Sequence, residues 1–233
     1  MTLLEAIPQR HSVRAYKEEA LRPEAIAVLR EKVEEVNRKA QLHVQLILDE
    51  PKAFKSPMAR YGNFRGVSSY LVMAGKPGEV DGVSFEERVG YYGEMLVLTA
   101  MTMGVNSCWV GMTYGKVDGA YTLEKGEKIS CVISLGYGVD NGHDHKRKSP
   151  EQVSNVGPDS PERFKGGVDA ALLAPTAVNQ QKFRFTYKPS ADGSKAKVIA
   201  DKTFAFSGYT LVDLGIVKFH FELAAGTENF DWE

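Results

Sequence analysis

Arg10-His11-Ser12-Val13-Arg14 places two guanidiniums and a hydroxyl within one short stretch. Forked N–H donors of this kind match the oxygens of a phosphate; the plain alternative is a solvated basic turn. A second basic cluster, His143-Asp144-His145-Lys146-Arg147-Lys148, falls in a long polar region and could add phosphate contacts or stay solvated. Its two histidines and one carboxylate lack the spacing of a metal site, so no metal is expected. Ala174-Pro175-Thr176-Ala177-Val178-Asn179-Gln180-Gln181 combines small residues, a proline and side-chain amides. Main chain of that composition can lie close to a flat polar ring, with Asn179 exchanging hydrogen bonds with it, or can simply close a helix. In Ser107-Cys108-Trp109-Val110-Gly111 the glycine admits close approach to the main chain, whereas Trp109 alone reads as core.

Several chemistries are excluded. No glycine-rich dinucleotide fingerprint, Walker loop, nucleophile elbow or HExxH motif is present. The 233 residues balance 29 Lys+Arg against 30 Asp+Glu, which leaves no basic footprint for a general nucleic-acid binder. No apolar run approaches the ~18 residues of a membrane span, and the start of the chain, with Glu5 and Pro8, has no signal-peptide core. Cys108 and Cys131 lie in apolar segments and read as free buried thiols of a reducing compartment. The expectation is a cytoplasmic protein acting on a small molecule, with neither nucleic acid nor membrane as partner.

These segments need a scaffold. Thr2 and Glu5 have capping-box spacing for a short first helix. Pro23 opens a second, with Ile26, Leu29, Val33 and Val36 on one stripe. Leu42 to Leu48 alternates as a strand, and 68–74 reads as another. Ser84 and Glu87 can cap a helix ending at Gly104 that is apolar on nearly every face, hence buried centrally. Strands follow near 107–114 and 128–138. The polar stretch 139–160 suits a functional or disordered loop. Pro161 opens a helix to about Leu173; 183–188 and 197–200 form a hairpin around a turn at Ser190–Ser194; Tyr209 to about Ala224 is a last apolar helix. Hairpins mixed with crossover helices predict an α+β fold over a doubly wound one.

The order helix, strand, buried helix occurs at 23–48 and 84–104 and again at 161–188 and 209–224. Glu94 and Asp213 begin similar apolar runs, and Trp109 and Trp232 close them. The expectation is one domain over 1–233 made of two related half-domains, about 1–158 and 159–233, unless two generic α+β halves coincide.

Together the motifs resemble the nitroreductase family of FMN-dependent oxidoreductases: RHSVR at 10–14, GVNSCWVG at 104–111, SLGYG at 134–138 followed by KRKSPEQV, and APTAVNQQKF at 174–183. The resemblance implies a nitroreductase-like fold and bound FMN. Arg10, Ser12 and Arg14, with His11 alongside, would grip the flavin phosphate, completed by Lys146 and Lys148, with Arg147 a close rival. Pro175, Thr176 and Asn179 would lie along the isoalloxazine and ribityl. The main chain at Trp109, Val110 and Gly111 would pass the reactive side of the ring. Hydride would enter from NAD(P)H as a transient donor and leave to a small organic acceptor such as a nitroaromatic or quinone. No side chain is assigned a catalytic role, because the cofactor carries the chemistry. The alternatives are a flavin carrier or sensor with little turnover, and an interaction protein in which the motifs have decayed.

Two features depart from the ordinary family pattern. The A-P-S-x-x-N segment normally follows R-x-S-x-R closely; here 33–44 lacks it and it appears at 174–179. Ordinary members build the flavin site across a homodimer. This chain is therefore similar to the divergent branch called putative TM nitroreductases, read as a fused pseudo-dimer that holds one FMN and can complete its site as a monomer. Lys182-Phe183 also stands where the family pattern has Pro-Trp.

Overall fold

The structure, a computed structural model, describes residues 1–190, 195–205 and 208–233. Helix α1 (Leu3–Ala6) forms because Thr2 and Glu5 cap each other: Thr2 N–H donates to Glu5 Oε2 at 2.8 Å and Glu5 N–H to Thr2 Oγ1 at 3.2 Å. A 3-10 turn at Ile7–Gln9 then delivers an extended Arg10. Helix α2 (Pro23–Ala40) opens on proline, buries Leu29, Val33 and Val36, and stops at Gln41 in the left-handed region. The strand expected over 42–48 shrinks to β1 (Gln45–Ile47). The Asn37 side chain takes both main-chain groups of Val44, donating to its carbonyl at 2.9 Å and accepting its N–H at 2.7 Å, while His43 N–H still reaches the Ala74 carbonyl at 2.8 Å, beside the irregularity in the next strand between Met73 and Ala74.

Next come α3 (Pro57–Tyr61), a short helix started by Ser56, whose side chain accepts from Ala59 N–H, then β2 (Ser69–Gly75), and the small hairpin β3 (Glu79–Val80) and β4 (Val83–Ser84). Ser84 Oγ accepts from Glu87 N–H at 3.2 Å to start α4 (Phe85–Thr102), but Glu87 pairs with Lys218 at 2.7 Å instead of completing a capping box. Strands β5 (Asn106–Val110) and β6 (Lys128–Gly136) follow. The polar stretch 139–160 is not wholly loop, since it holds α5 (Pro150–Val153) and a bridge from Ser154 to Phe185. The chain ends with α6 (Glu162–Leu172), β7 (Phe183–Lys188), β8 (Ala196–Lys202), α7 (Thr210–Ala225) and β9 (Phe230–Trp232). The β7–β8 hairpin is present; residues 191–194 of its expected turn lie outside the described residues.

Two sheets carry this α+β fold. One is antiparallel in the order β1-β2-β6-β5; the other is β7-β8-β9, with β9 parallel to β8. The first is buried on both faces. Leu71, Met73, Ile133 and Leu135 face the main core, while Tyr70, Val72 and Val132 face a second layer closed by Val13, Tyr16, Phe54 and Phe64. That double burial explains why β2 reads as continuously apolar.

Helices α4 and α7 cross at the centre with backbone against backbone. A Cβ on Gly90 would collide with the Val212 carbonyl, and one on Gly215 with the Glu87 carbonyl. Gly90 and Gly215 are as far apart in the chain as Glu87 and Val212, so the contact is reciprocal. Around α7, Phe221 stacks on Phe185 at 4.6 Å between ring centroids and meets Phe230 edge-on at 5.3 Å. Cys108 and Cys131 are free and buried. Among the described residues, no helix is long and apolar enough to cross a membrane.

Candidate functional site

The four segments singled out by their chemistry meet beside β5. Val13 N–H donates to the Ser107 carbonyl at 3.0 Å and so lays residues 10–14 along the strand. The 139–148 loop returns over them. At Gly142, with φ 72°, a Cβ would lie 2.8 Å from His11 Cβ and 3.1 Å from the Ser12 carbonyl. The same loop is stitched to the 174–181 segment: Asn179 Nδ2 and Gln181 Nε2 donate to the Lys146 carbonyl at 2.8 and 2.9 Å, and Lys148 N–H donates to Gln181 Oε1 at 2.9 Å.

Arg10 lies beneath this seam. It is 4% exposed, its Nε is enclosed without a partner, and among the described residues its guanidinium makes no hydrogen bond. Its nearest carboxylate oxygen, Glu94 Oε1, is 3.8 Å from Nε. Burial works against its charge and Glu94 supports it. Arg14 is exposed, with Cζ 5.9 Å from the centre of the Phe64 ring. Ser12 is half-buried, and burial raises the pKa of the neighbouring Cys108 thiol, with Arg14, Ser12 and Arg10 opposing the rise. His11 is half-buried too, and burial, then the charge of Arg10, lowers its pKa.

The three basic side chains of the second cluster part ways. Lys148 Nζ donates to the carbonyls of Gln181 at 2.5 Å and Gln180 at 3.4 Å, so it ties loops together instead of offering an open charge. Arg147 pairs with Asp144 at 2.8 Å. Lys146 is exposed, and among the described residues its ammonium has no ion pair. Of the expected phosphate contacts here, Lys146 keeps its charge free and Lys148 does not.

The 174–181 segment is held in a costly shape. Val178, Asn179 and Gln181 all adopt positive φ, at 47°, 55° and 45°; for a β-branched valine this is a true outlier. Asp213 of α7 holds it there, accepting from Ala177 N–H at 2.9 Å and Gln180 Nε2 at 2.6 Å. Burial pushes the Asp213 pKa up to about 6, with those two hydrogen bonds pulling the other way. Thr176 Oγ1 accepts from Gln181 N–H at 3.0 Å. The Asn179 amide, expected to face a ring, is already used: it donates to Lys146 and accepts from Gln181 Nε2 at 2.8 Å. Pro175 and Thr176 are half-buried, and Val178 projects outward, 86% exposed.

At the end of β5, Trp109 belongs to the core. Its ring packs on Gly93, and its Nε1 donates to Glu94 Oε2 at 2.8 Å. Val110 is buried. The open approach expected at Gly111 is filled by the Tyr209 ring: a Cβ on Gly111 would lie 2.7 Å from Tyr209 Cζ, and the Tyr209 hydroxyl donates to the Gly111 carbonyl at 3.0 Å.

Sequence reasoning missed Glu94, His220 and Asp213 as site-supporting groups. The available signal was an ionisable residue flanked by apolar ones within a largely apolar helix, Glu94 in α4 and Asp213 and His220 in α7, which burial obliges to find partners. Glu94 and His220 are fully buried and joined at 2.9 Å. Burial would raise the Glu94 pKa, but the hydrogen bond and charge of His220, the charge of Arg10 and the Trp109 bond together hold it below the ordinary value. In the reciprocal register of the α4–α7 crossing, Asp213 stands where Arg88 does, not where Glu94 does. Two surface clefts, of about 430 Å³ beside Pro150 and Lys165 and about 550 Å³ beside His43 and Arg88, lie away from these segments.

Residues 2–225 match the family model described as "Putative TM nitroreductase". The chain belongs to this family. Among solved structures, a putative nitroreductase from Thermotoga maritima MSB8 is 21% identical with a TM-score of 0.59, covering 96% of this chain and 83% of that one. A putative nitroreductase in complex with FMN from Desulfovibrio desulfuricans is 20% identical with a TM-score of 0.51, covering 69% and 99%. A putative NADH oxidase from Clostridium acetobutylicum is 18% identical with a TM-score of 0.50, covering 67% and 99%. No curated protein matches the chain. At these identities the likeness is one of fold, and the fold of this TM nitroreductase-family chain is nitroreductase-like. The FMN that the family implies carries an anionic phosphate, and the Arg10 guanidinium fits it. Its Nη groups make no hydrogen bond among the described residues and, unlike Nε, are not fully enclosed, so they are the donors an oxyanion can reach.

Proposed function

We propose that this nitroreductase-family chain is an FMN-dependent oxidoreductase that passes hydride from NADH or NADPH, as a transient donor, to a small organic acceptor such as a nitroaromatic or quinone. The observation that carries this reading is Arg10: a buried guanidinium without a hydrogen-bond acceptor, where the RHSVR, 143–148 and 174–181 segments converge. The Desulfovibrio relative in complex with FMN and the Clostridium relative described as an NADH oxidase support it. Arg10, Arg14 and Lys146 supply positive charge to the flavin phosphate, with Ser12 and His11 beside them. Pro175 and Thr176 bring the 174–181 main chain to the ring, and Asp213 fixes its conformation. FMN, when bound, supplies the hydride chemistry. The half-domain reading, with one FMN per chain, a monomer able to complete the site and a cytoplasmic setting, is part of this proposal; the reciprocal Gly90 and Gly215 contacts support it.

Tyr209 favours a second reading. Its ring covers the Gly111 main chain and narrows approach to the expected reactive side, as suits a flavin carrier or sensor with little turnover. Anaerobic visible spectra of the FMN-loaded protein before and after NADH, then NADPH, separate the two. Bleaching of the oxidised-flavin band is expected. A band that persists with both nucleotides replaces the enzyme reading with the binding one.

A further inference from the structure

Glu94 and His220 form a buried pair directly behind Arg10. Glu94 Oε2 accepts from Trp109 Nε1 at 2.8 Å, while Oε1 lies 2.9 Å from His220 Nε2 and 3.8 Å from Arg10 Nε. On its other side, His220 Nδ1 is 3.0 Å from the Ala170 carbonyl oxygen. A carbonyl oxygen only accepts, so Nδ1 carries a proton. Nε2 then faces the carboxyl, and the pair must hold one further proton. Without it, two lone pairs would oppose each other in a site with no exposed surface. With it, histidine and glutamate together are neutral, and the charge of Arg10 is left uncancelled. The other carboxylate acting on Arg10, Asp144, is exposed and committed to Arg147 at 2.8 Å.

We propose that His220 is a positioning residue for the phosphate grip: by sharing a proton with Glu94 it neutralises the buried carboxylate behind Arg10 and leaves that guanidinium available to the phosphate of a flavin nucleotide. The inference rests on the FMN reading above and adds to it the internal partner that keeps the site open to an anion. An unneutralised carboxylate at this distance, in dry surroundings, would compete with any anion arriving from water. The proton sits between two side chains from α4 and α7, so the grip depends on both halves of the chain.

The test compares FMN with riboflavin, which lacks the phosphate, so the ratio of their affinities isolates the grip. The two dissociation constants are measured by flavin fluorescence for wild type, His220→Gln, and the double variant Glu94→Gln/His220→Gln. Wild type should bind FMN at least ten-fold more tightly than riboflavin. His220→Gln leaves Glu94 charged and should collapse that preference, whereas the double variant removes the competing carboxylate and should restore it. A role in packing alone predicts that the second substitution does further harm. An unchanged ratio in His220→Gln, or no recovery in the double variant, overturns the inference while the FMN reading stands. Wild type that binds neither flavin overturns both. Should the variants fail to fold, 15N-histidine and 13C-carboxyl spectra of the wild type read the charge of the pair directly. One shared proton is expected, and a neutral ring beside an ionised Glu94 overturns the inference.

Discussion

Arg10 and Arg88 are each 4% exposed, and each encloses an Nε without a partner, but their surroundings are opposite. Arg88 Nη1 donates to the carbonyls of Ala40 at 2.5 Å and Gln41 at 3.4 Å, and Nη2 to that of Gly78 at 3.1 Å. It closes the C-terminus of α2, where carbonyls lack N–H partners and the helix end is negative. Arg10 caps nothing. A buried cation bonded to main-chain carbonyls is part of the fold; one without acceptors is a cost that a ligand can relieve.

The largest expected effect falls on the first kind. Arg88→Ala should lower stability by about 3 kcal/mol, because buried carbonyls lose charged donors, and should leave FMN affinity unchanged. Arg10→Met keeps the bulk and removes the charge. Its urea midpoint should equal or exceed that of wild type, while FMN affinity falls about 10- to 150-fold. Equal losses of stability in the two variants would break the distinction.

Asp213 offers the mirror case, an anion collecting amides where Arg88 collects carbonyls. Its folded pKa of about 6 lies above the ordinary 3.8, so the folded state holds this proton more tightly than the unfolded chain does. Asp213 therefore adds stability as pH falls from about 6 towards 4 and withdraws it as pH rises through that window. Thermal melts of Asp213→Asn across the window should be flatter than those of wild type. An unaltered slope would show that another group sets the pH dependence.

The smallest effect repeats the comparison in lysines. Lys146 is free and exposed, while Lys148 is bonded to the Gln180 and Gln181 carbonyls. Lys146→Ala should weaken FMN binding about two- to five-fold, the scale of an exposed charge. Lys148→Ala should act mainly on thermal stability. The reverse order, read by flavin titration and melting temperature, would reassign the grip.

Much of this was legible in the residues. Thr2 and Glu5 gave the first cap, the Leu29–Val33–Val36 stripe gave α2, and the 89–104 run, apolar on nearly every face, marked a central helix. RHSVR and APTAVNQQ were found by residue type, and they do converge. What stayed hidden depends on distance across the fold. Nothing local says that Asn37 would take the hydrogen bonds of Val44, that Tyr209 would cover Gly111, or that Lys148 would turn to carbonyls more than thirty residues on. Glu94 and His220 were visible as odd residues in apolar helices, but their partnership exists only because α4 and α7 cross where they do. In the register of that crossing Asp213 corresponds to Arg88 and not to Glu94.

That crossing also sets a mechanical limit. Where Gly90 meets the Val212 carbonyl and Gly215 the Glu87 carbonyl, no long side chains are present to slide or repack. Shear between packed helices works through such small slides, and this joint is too close to accommodate them. The two helices therefore form a single fixed axle, and α4 cannot slide along α7 without parting backbone from backbone.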